Sequence, residues 1–175
     1  MTKRRPALEE SGTPSLARRL ICLVYEGVVL FGVVMIAGFA YGMLTSQRHA
    51  LIGKIGLQVV LALVLGLYFV WFWTHGGQTV AMKTWRMRVV AADMGPLTLK
   101  RATARYVLGW LWLLPGLSIA HLVGLRDTGS LAAVLLACGT AYATLSQIHP
   151  TKQFLHDAIC GTRVVNWPQP QAMST

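Results

Sequence analysis

Four long apolar runs separated by short polar segments set the organisation of the chain. The first, Ile21 to Leu44, would rise about 36 Å as a helix, enough to cross a hydrocarbon layer of roughly 30 Å. The second, Ile55 to Trp73, is nearly devoid of polar side chains and ends in Trp71-Phe72-Trp73, an aromatic belt at one interface. Tyr106 to Gly124 is the third, where Pro115 predicts a kink. Leu131 to Ile148 is the fourth, made less apolar by Thr140, Thr144 and Ser146, so that a partly interfacial helix is the alternative there. The segment 74–105 breaks this pattern, with Lys83, Arg86, Arg88, Lys100, Arg101 and Arg105 around Asp93, and belongs outside the hydrocarbon. Within it Gln78 to Val90 has two readings. One is an amphipathic stretch along the interface, with Met82, Trp85 and Val89 inward and Lys83, Arg86 and Arg88 toward lipid phosphates. The other is a solvated topology determinant. The expected fold class is therefore all-α: a polytopic transmembrane helical bundle of four spans with an amphipathic cytoplasmic middle segment. A basic N-tail (1–19) precedes the membrane domain (20–149), which carries the loop 74–105, and a C-tail (150–175) follows.

Composition agrees with this pattern. Of 175 residues, 54% are apolar and 13% charged, which excludes a disordered chain and argues against an ordinary soluble enzyme. The formal net charge of +10 would suit nucleic acid only if a basic surface were displayed. Here the basic residues are clustered between apolar runs, so anionic membrane lipids are the expected partners and nucleic acid is not. Their distribution also orients the chain. With both termini cytoplasmic, thirteen of the sixteen Lys and Arg lie inside, and Arg48, Lys54 and Arg126 lie outside. That favours an inner membrane protein with both ends inside. Lys3, Arg4 and Arg5 mimic a signal n-region, but the run that follows is too long for a signal and Tyr41-Gly42-Met43 lacks a small-residue cleavage pattern, so the first span is read as retained. Cys22, Cys138 and Cys160 have no C-x-x-C spacing and suggest neither a disulfide framework nor a thiolate metal site.

Glu26 is the most informative polar residue, because it interrupts the first span about one and a half turns inside its cytoplasmic end. A carboxylate at that depth is costly unless it is protonated, wetted or paired. Arg19 and Arg18 precede it by about two turns on a similar face. Either Glu26 binds and releases a proton or cation, or it pairs with an arginine of another helix and fixes the fold. Gly38 and Gly42 form a GxxxG that permits close helix approach, within the chain or in a homo-oligomer. His75 and His149 fall at the inner ends of spans two and four and His121 at the outer end of span three, which gathers no metal site. Gly76-Gly77-Gln78-Thr79 is not followed by the residues of a phosphate loop, and Ser118 with His121 lacks a third member. No catalytic, cofactor or metal residues are assigned, and an enzyme is not the expected reading.

Three stretches, taken together, resemble the RDD family of bacterial membrane proteins. They are Arg18-Arg19 followed by an acidic residue in span one, the motif from His75 through Gly77, Gln78, Thr79, Trp85, Arg86 and Arg88 to Val90, and the tail Leu155-His156-Asp157 to Val165. The Gly-Gly-Gln-Thr and Trp-Arg forms are similar to a proteobacterial branch. The resemblance runs from about Ser15 to Asn166. It implies that Arg18 or Arg19, preferably Arg19, is the family's arginine, that Glu26 occupies the first aspartate position and that Asp157 is the second. Glutamate at 26 keeps the charge with a longer reach, and Ala81 replaces a usual glycine. Arg88 and Arg105 match recurrent basic positions. The resemblance further implies transport, with exchange of a monovalent cation for a proton as one form. The rival is a non-transporting scaffold or assembly factor in which Arg19, Glu26, Arg88 and Asp157 form one ionic network docking the tail on the helices.

Overall fold

The structure, a computed structural model, describes residues 12–45, 54–148 and 153–167. Helix α1 (Leu16–Leu44) starts where Ser15, just after Pro14, accepts the Arg18 N–H at 3.3 Å. The helix therefore begins before Ile21, and Arg18 and Arg19 sit in its first turn instead of in a tail. Helix α2 (Lys54–Thr74) returns antiparallel and packs against α1. The third span begins at Leu99 and not at Tyr106. Helix α4 (Leu99–Leu108), capped by Thr98, passes through a 3-10 turn, Gly109–Trp112, into helix α5 (Leu113–Val123). The expected kink thus lies one turn ahead of Pro115, whose ring crowds the carbonyl four residues earlier and which lacks the N–H that would bond to it. Helix α6 (Thr128–Ile148) opens where the Asp127 carboxylate accepts the Ser130 N–H at 2.7 Å. Four helical stretches, Leu16–Leu44, Ile55–Thr74, Leu99–Val123 and Thr128–Ile148, are long and apolar enough to cross a membrane. Only 6–11% of the residues in their apolar windows are buried, so most of the apolar surface faces outward, as a hydrocarbon solvent allows and water does not.

The middle segment is not the one continuous amphipathic stretch that was the first of the two readings of Gln78 to Val90. It is a five-residue helix, α3 (Val80–Thr84), followed by strand β1 (Met87–Ala91). The C-tail supplies the partner: helix α7 (Leu155–Cys160) ends at Gly161 in the left-handed region, φ 60°, and leads into strand β2 (Thr162–Asn166). The two strands pair antiparallel with Val89 opposite Val164 and Arg88 opposite Val165. Met87, Val89 and Val164 join Cys22 of α1, Trp73 of α2 and Ala102 of α4 in one buried cluster. The ladder is thus a cap packed on the ends of three helices, made from two segments far apart in sequence. Of the expected cytoplasmic positions, His149 and Lys152 lie outside the described residues, as do residues 1–11 of the N-tail.

Close helix approaches do not use Gly38 and Gly42, which have nothing within 4 Å of a would-be Cβ. They use Gly66, whose Cβ would lie 3.0 Å from the Tyr106 ring, and Gly116, whose Cβ would lie 2.9 Å from Leu135 Cδ2. Tyr106 is pinned there by donating to the Ala62 carbonyl at 2.7 Å. A Gly66→Leu variant is therefore expected to lose about 1–3 kcal/mol of stability by overpacking. Gly38→Leu should unfold like the parent in detergent. Denaturation midpoints of the two variants check this.

Candidate functional site

The buried residues of the 29-residue helix α1 are Arg19, Cys22 and Glu26, spaced to form one stripe. The usual inside-out arrangement is reversed, because lipid solvates the apolar faces and the polar stripe turns toward protein. Glu26 is 5% exposed. Its Oε1 accepts from Tyr68 Oη of α2 at 2.6 Å, and its Oε2 accepts from Thr79 Oγ1. No Lys or Arg among the described residues forms an ion pair with it.

The Gly-Gln-Thr motif places Thr79 on Glu26. Gly77 sits at φ 72°, and a Cβ there would collide with the Val89 carbonyl and Arg88. That close approach lets the Gly77 carbonyl accept the Val89 N–H at 2.7 Å, while Gln78 Nε2 donates to Met87 O at 2.7 Å. The motif therefore clasps the end of α2 to β1. Thr79, fully buried, then caps α3 by accepting the Met82 N–H and turns its hydroxyl hydrogen to Glu26. Arg18 latches the cap to α1, donating through Nε to Trp85 O at 3.0 Å and through Nη1 to Asn166 Oδ1 at 2.9 Å. The Trp85 ring meets Tyr25 edge-on at 5.9 Å. Arg86 adopts φ 51°, and its carbonyl takes the Trp167 N–H at 2.8 Å at the end of the ladder, leaving its side chain exposed.

A second centre forms around Asp157, which has no exposed surface. Arg105 Nε donates to Oδ1 at 2.7 Å, and Thr162 Oγ1 donates to the same oxygen at 2.9 Å. The Arg105 guanidinium lies on the Trp73 ring, 4.3 Å from its centroid. Next to it, His156 Nδ1 meets Tyr142 Oη of α6 at 2.8 Å, and that oxygen also accepts the His156 backbone N–H at 3.2 Å. Burial pushes the His156 imidazole down to about 4 from its ordinary 6.5, with Arg105 adding to the shift and Asp157 opposing it. The tail is thereby tied to α4 by an ion pair and to α6 by a neutral histidine.

The single network of Arg19, Glu26, Arg88 and Asp157 is accordingly replaced by two centres. Asp157 takes Arg105, and Glu26 takes hydroxyls. Arg88 lies over the Trp167 ring at 4.3 Å, and Arg19 over Phe154 at 4.7 Å. The expected pairing of Glu26 with an arginine of another helix is not made. Tyr68 and Tyr142 were not singled out by sequence, Trp73 was read only as part of an interfacial aromatic belt, and Thr162 only as a member of the tail motif. Tyr68 carried a weak signal as a hydroxyl inside an otherwise apolar span, and Tyr142 carried none that charge or motif could show. His75 stacks on Trp71 with ring centroids 3.9 Å apart.

The RDD family model matches residues 13–161, most of the chain. No curated protein and no solved structure matches it.

Two outcomes follow from this geometry. Asp157→Asn strands a buried Arg105 and is expected to cost about 3–5 kcal/mol, whereas Glu26→Gln keeps groups able to bond both hydroxyls and should cost far less. Between pH 6.5 and about 4 the unfolded chain takes up a proton that folded His156 refuses, so His156 lowers stability as pH falls through that window and levels off below it. His156→Gln should flatten this part of the pH dependence in unfolding measurements.

Proposed function

The chain belongs to the RDD family, and we propose that it exchanges a monovalent cation for a proton across the bacterial inner membrane, with Glu26 binding the two in turn. The observation that carries this reading is the company Glu26 keeps. A buried carboxyl group whose oxygens, among the described residues, meet the hydroxyls of Tyr68 and Thr79 and no cation can change its charge without breaking an ion pair. The same oxygens serve both occupants. Tyr68 and Thr79 donate to the carboxylate when the site is ionised, and their lone pairs, with both carboxylate oxygens, supply the hard ligands that an alkali cation prefers. Protonated Glu26 can donate back to either hydroxyl. Asp157 is unsuited to the same work, because Arg105 occupies Oδ1 and its positive charge repels a second cation.

The orientation proposed is that of the charge count, with both termini cytoplasmic. Exposed Lys83, Arg86, Lys100, Arg101 and Arg163 would then meet anionic lipid headgroups. A homo-oligomer is part of the proposal, since the open flank of Gly38 and Gly42 offers one possible seam. A second reading, a non-transporting scaffold, is favoured by the Arg105–Asp157 pair and the Arg18 latch, which dock the tail without any need for flux.

Purified protein in sealed liposomes with an interior pH dye tests between them. Addition of Na⁺, K⁺ or Li⁺ against an imposed proton gradient should drive proton movement that Glu26→Gln abolishes while remaining folded. Tyr68→Phe, lacking one ligand, should retain weaker flux. Absence of flux from folded, oriented protein with all three ions would contradict exchange and leave the scaffold.

A further inference from the structure

Helix α7 is polarised the wrong way round for water. Asp157 is fully buried, whereas Leu155 and Ile159 are 46% and 57% exposed and Ala158 is exposed beside them. At about 100° per residue these three fall in one sector, with Asp157 on the far side of the helix. The same inversion marks α1, whose charged stripe turns toward protein and whose apolar faces meet lipid. Depth points the same way. Tyr142 lies about 9 Å inside the Ile148 end of α6, and Arg105 about 9 Å inside the Leu99 end of α4, by the rise of an α-helix. A helical side chain leans toward the N-terminus of its helix, which for Tyr142 is away from the Ile148 end. The Tyr142 hydroxyl accepts the His156 backbone N–H at 3.2 Å, so the backbone of α7 lies alongside the last turns of α6 and not beyond them. Phe154 occupies the N-cap position, where helices in water favour Ser, Thr, Asp or Asn, and stacks on the Tyr142 ring with centroids 5.7 Å apart. On the same last turns of α6, Leu145 and Ile148 are 55% and 76% exposed.

We propose that α7 is a foot set into the lipid acyl chains just beneath the headgroups, its Leu155, Ala158 and Ile159 face covered by lipid. Arg101, exposed and one turn nearer the Leu99 end than Arg105, stands at the phosphates above it. The Arg105–Asp157 pair is what admits an aspartate-bearing helix to this depth, because an unpaired carboxylate there would be drawn back to water. A segment that reads in sequence as a tail outside the membrane thereby joins the lipid-facing surface, entering and leaving on one side. The proposal rests on the placement of α7 against α4 and α6 and is independent of the transport reading.

Electron paramagnetic resonance of the full-length protein in phosphatidylcholine–phosphatidylglycerol vesicles tests it. A nitroxide is placed on Leu155→Cys or Ile159→Cys after Cys138→Ser and Cys160→Ser, with Cys22, 3% exposed, left in place. Labels at both positions should be relaxed several-fold more by oxygen, which concentrates among acyl chains, than by a water-soluble nickel chelate. A label on Leu63→Cys, at an exposed mid-span position of α2, should behave alike, and one on Arg163→Cys should show the reverse order. Preference for the nickel chelate at 155 and 159 would overturn the proposal by placing the face in water. Protection from both reagents would overturn it by placing a second copy or another segment over the face. Methyl NMR of the unaltered protein labelled with ¹³C-isoleucine decides the same point without substitution. Ile159 is expected to receive magnetisation from lipid methylene protons before water protons, and the opposite order would overturn the proposal.

Discussion

An ionised side chain withdrawn from water needs a protein partner, and in a chain with so few charges each such partner becomes an architectural decision. Arg19, Glu26, Arg105 and Asp157 are all at least nine-tenths buried. The rest of the fold follows from how they are accommodated. Asp157 can be buried because α7 delivers it to Arg105 and Thr162. That delivery brings β2 alongside β1. The paired strands then cover Cys22 and hold Thr79 against Glu26, so the tail and the middle segment together close one end of the bundle. Such an ion pair need not raise net stability to have this effect, since its geometric demand is what specifies the docking.

The sequence made the membrane spans legible because hydrocarbon solvation acts on composition alone, and a run such as Leu57 to Trp73 needs no knowledge of its neighbours. Glu26 was legible for the same reason, as an isolated expense. The boundaries near the interface were not, because Arg18, Arg19, Lys100 and Arg101 read as loop residues although they continue helices whose stems reach into lipid. The ladder was the largest omission. Met87–Ala91 and Thr162–Asn166 are five residues each, buried at most positions, and they are strands only because each finds the other across the whole third and fourth spans. No local period announces that. The partners of Glu26 escaped for a different reason: a search by charge looks for arginine, and the structure answers with hydroxyls.

This division of labour separates two carboxylates that the family resemblance had treated as equivalent members of one set. Asp157 is committed to an ion pair with Arg105, which lies on an aromatic ring, and it is flanked by a threonine and a neutral histidine. Glu26 sits in a seat made of groups that can either donate or accept. Glutamate at this position extends the carboxyl far enough to reach Tyr68 on α2 and Thr79 on the cap at once. The cap therefore serves both centres. It is fixed to the bundle at Asp157 and Arg18, and through Thr79 it supplies one wall of the Glu26 seat. Any movement of the Gly76-Gly77 turn would alter that wall first.

The most direct measurement of this account is isotope-edited infrared spectroscopy of the protein in bilayers, with glutamate and aspartate carboxyl groups labelled separately. Glu26 should give a glutamate band that changes between carboxylate and carboxyl with pH and shifts again on adding an alkali cation, and that disappears in Glu26→Gln, while the Asp157 band ignores the cation. A Glu26 band indifferent to both proton and cation, with the response found at Asp157 instead, would contradict it.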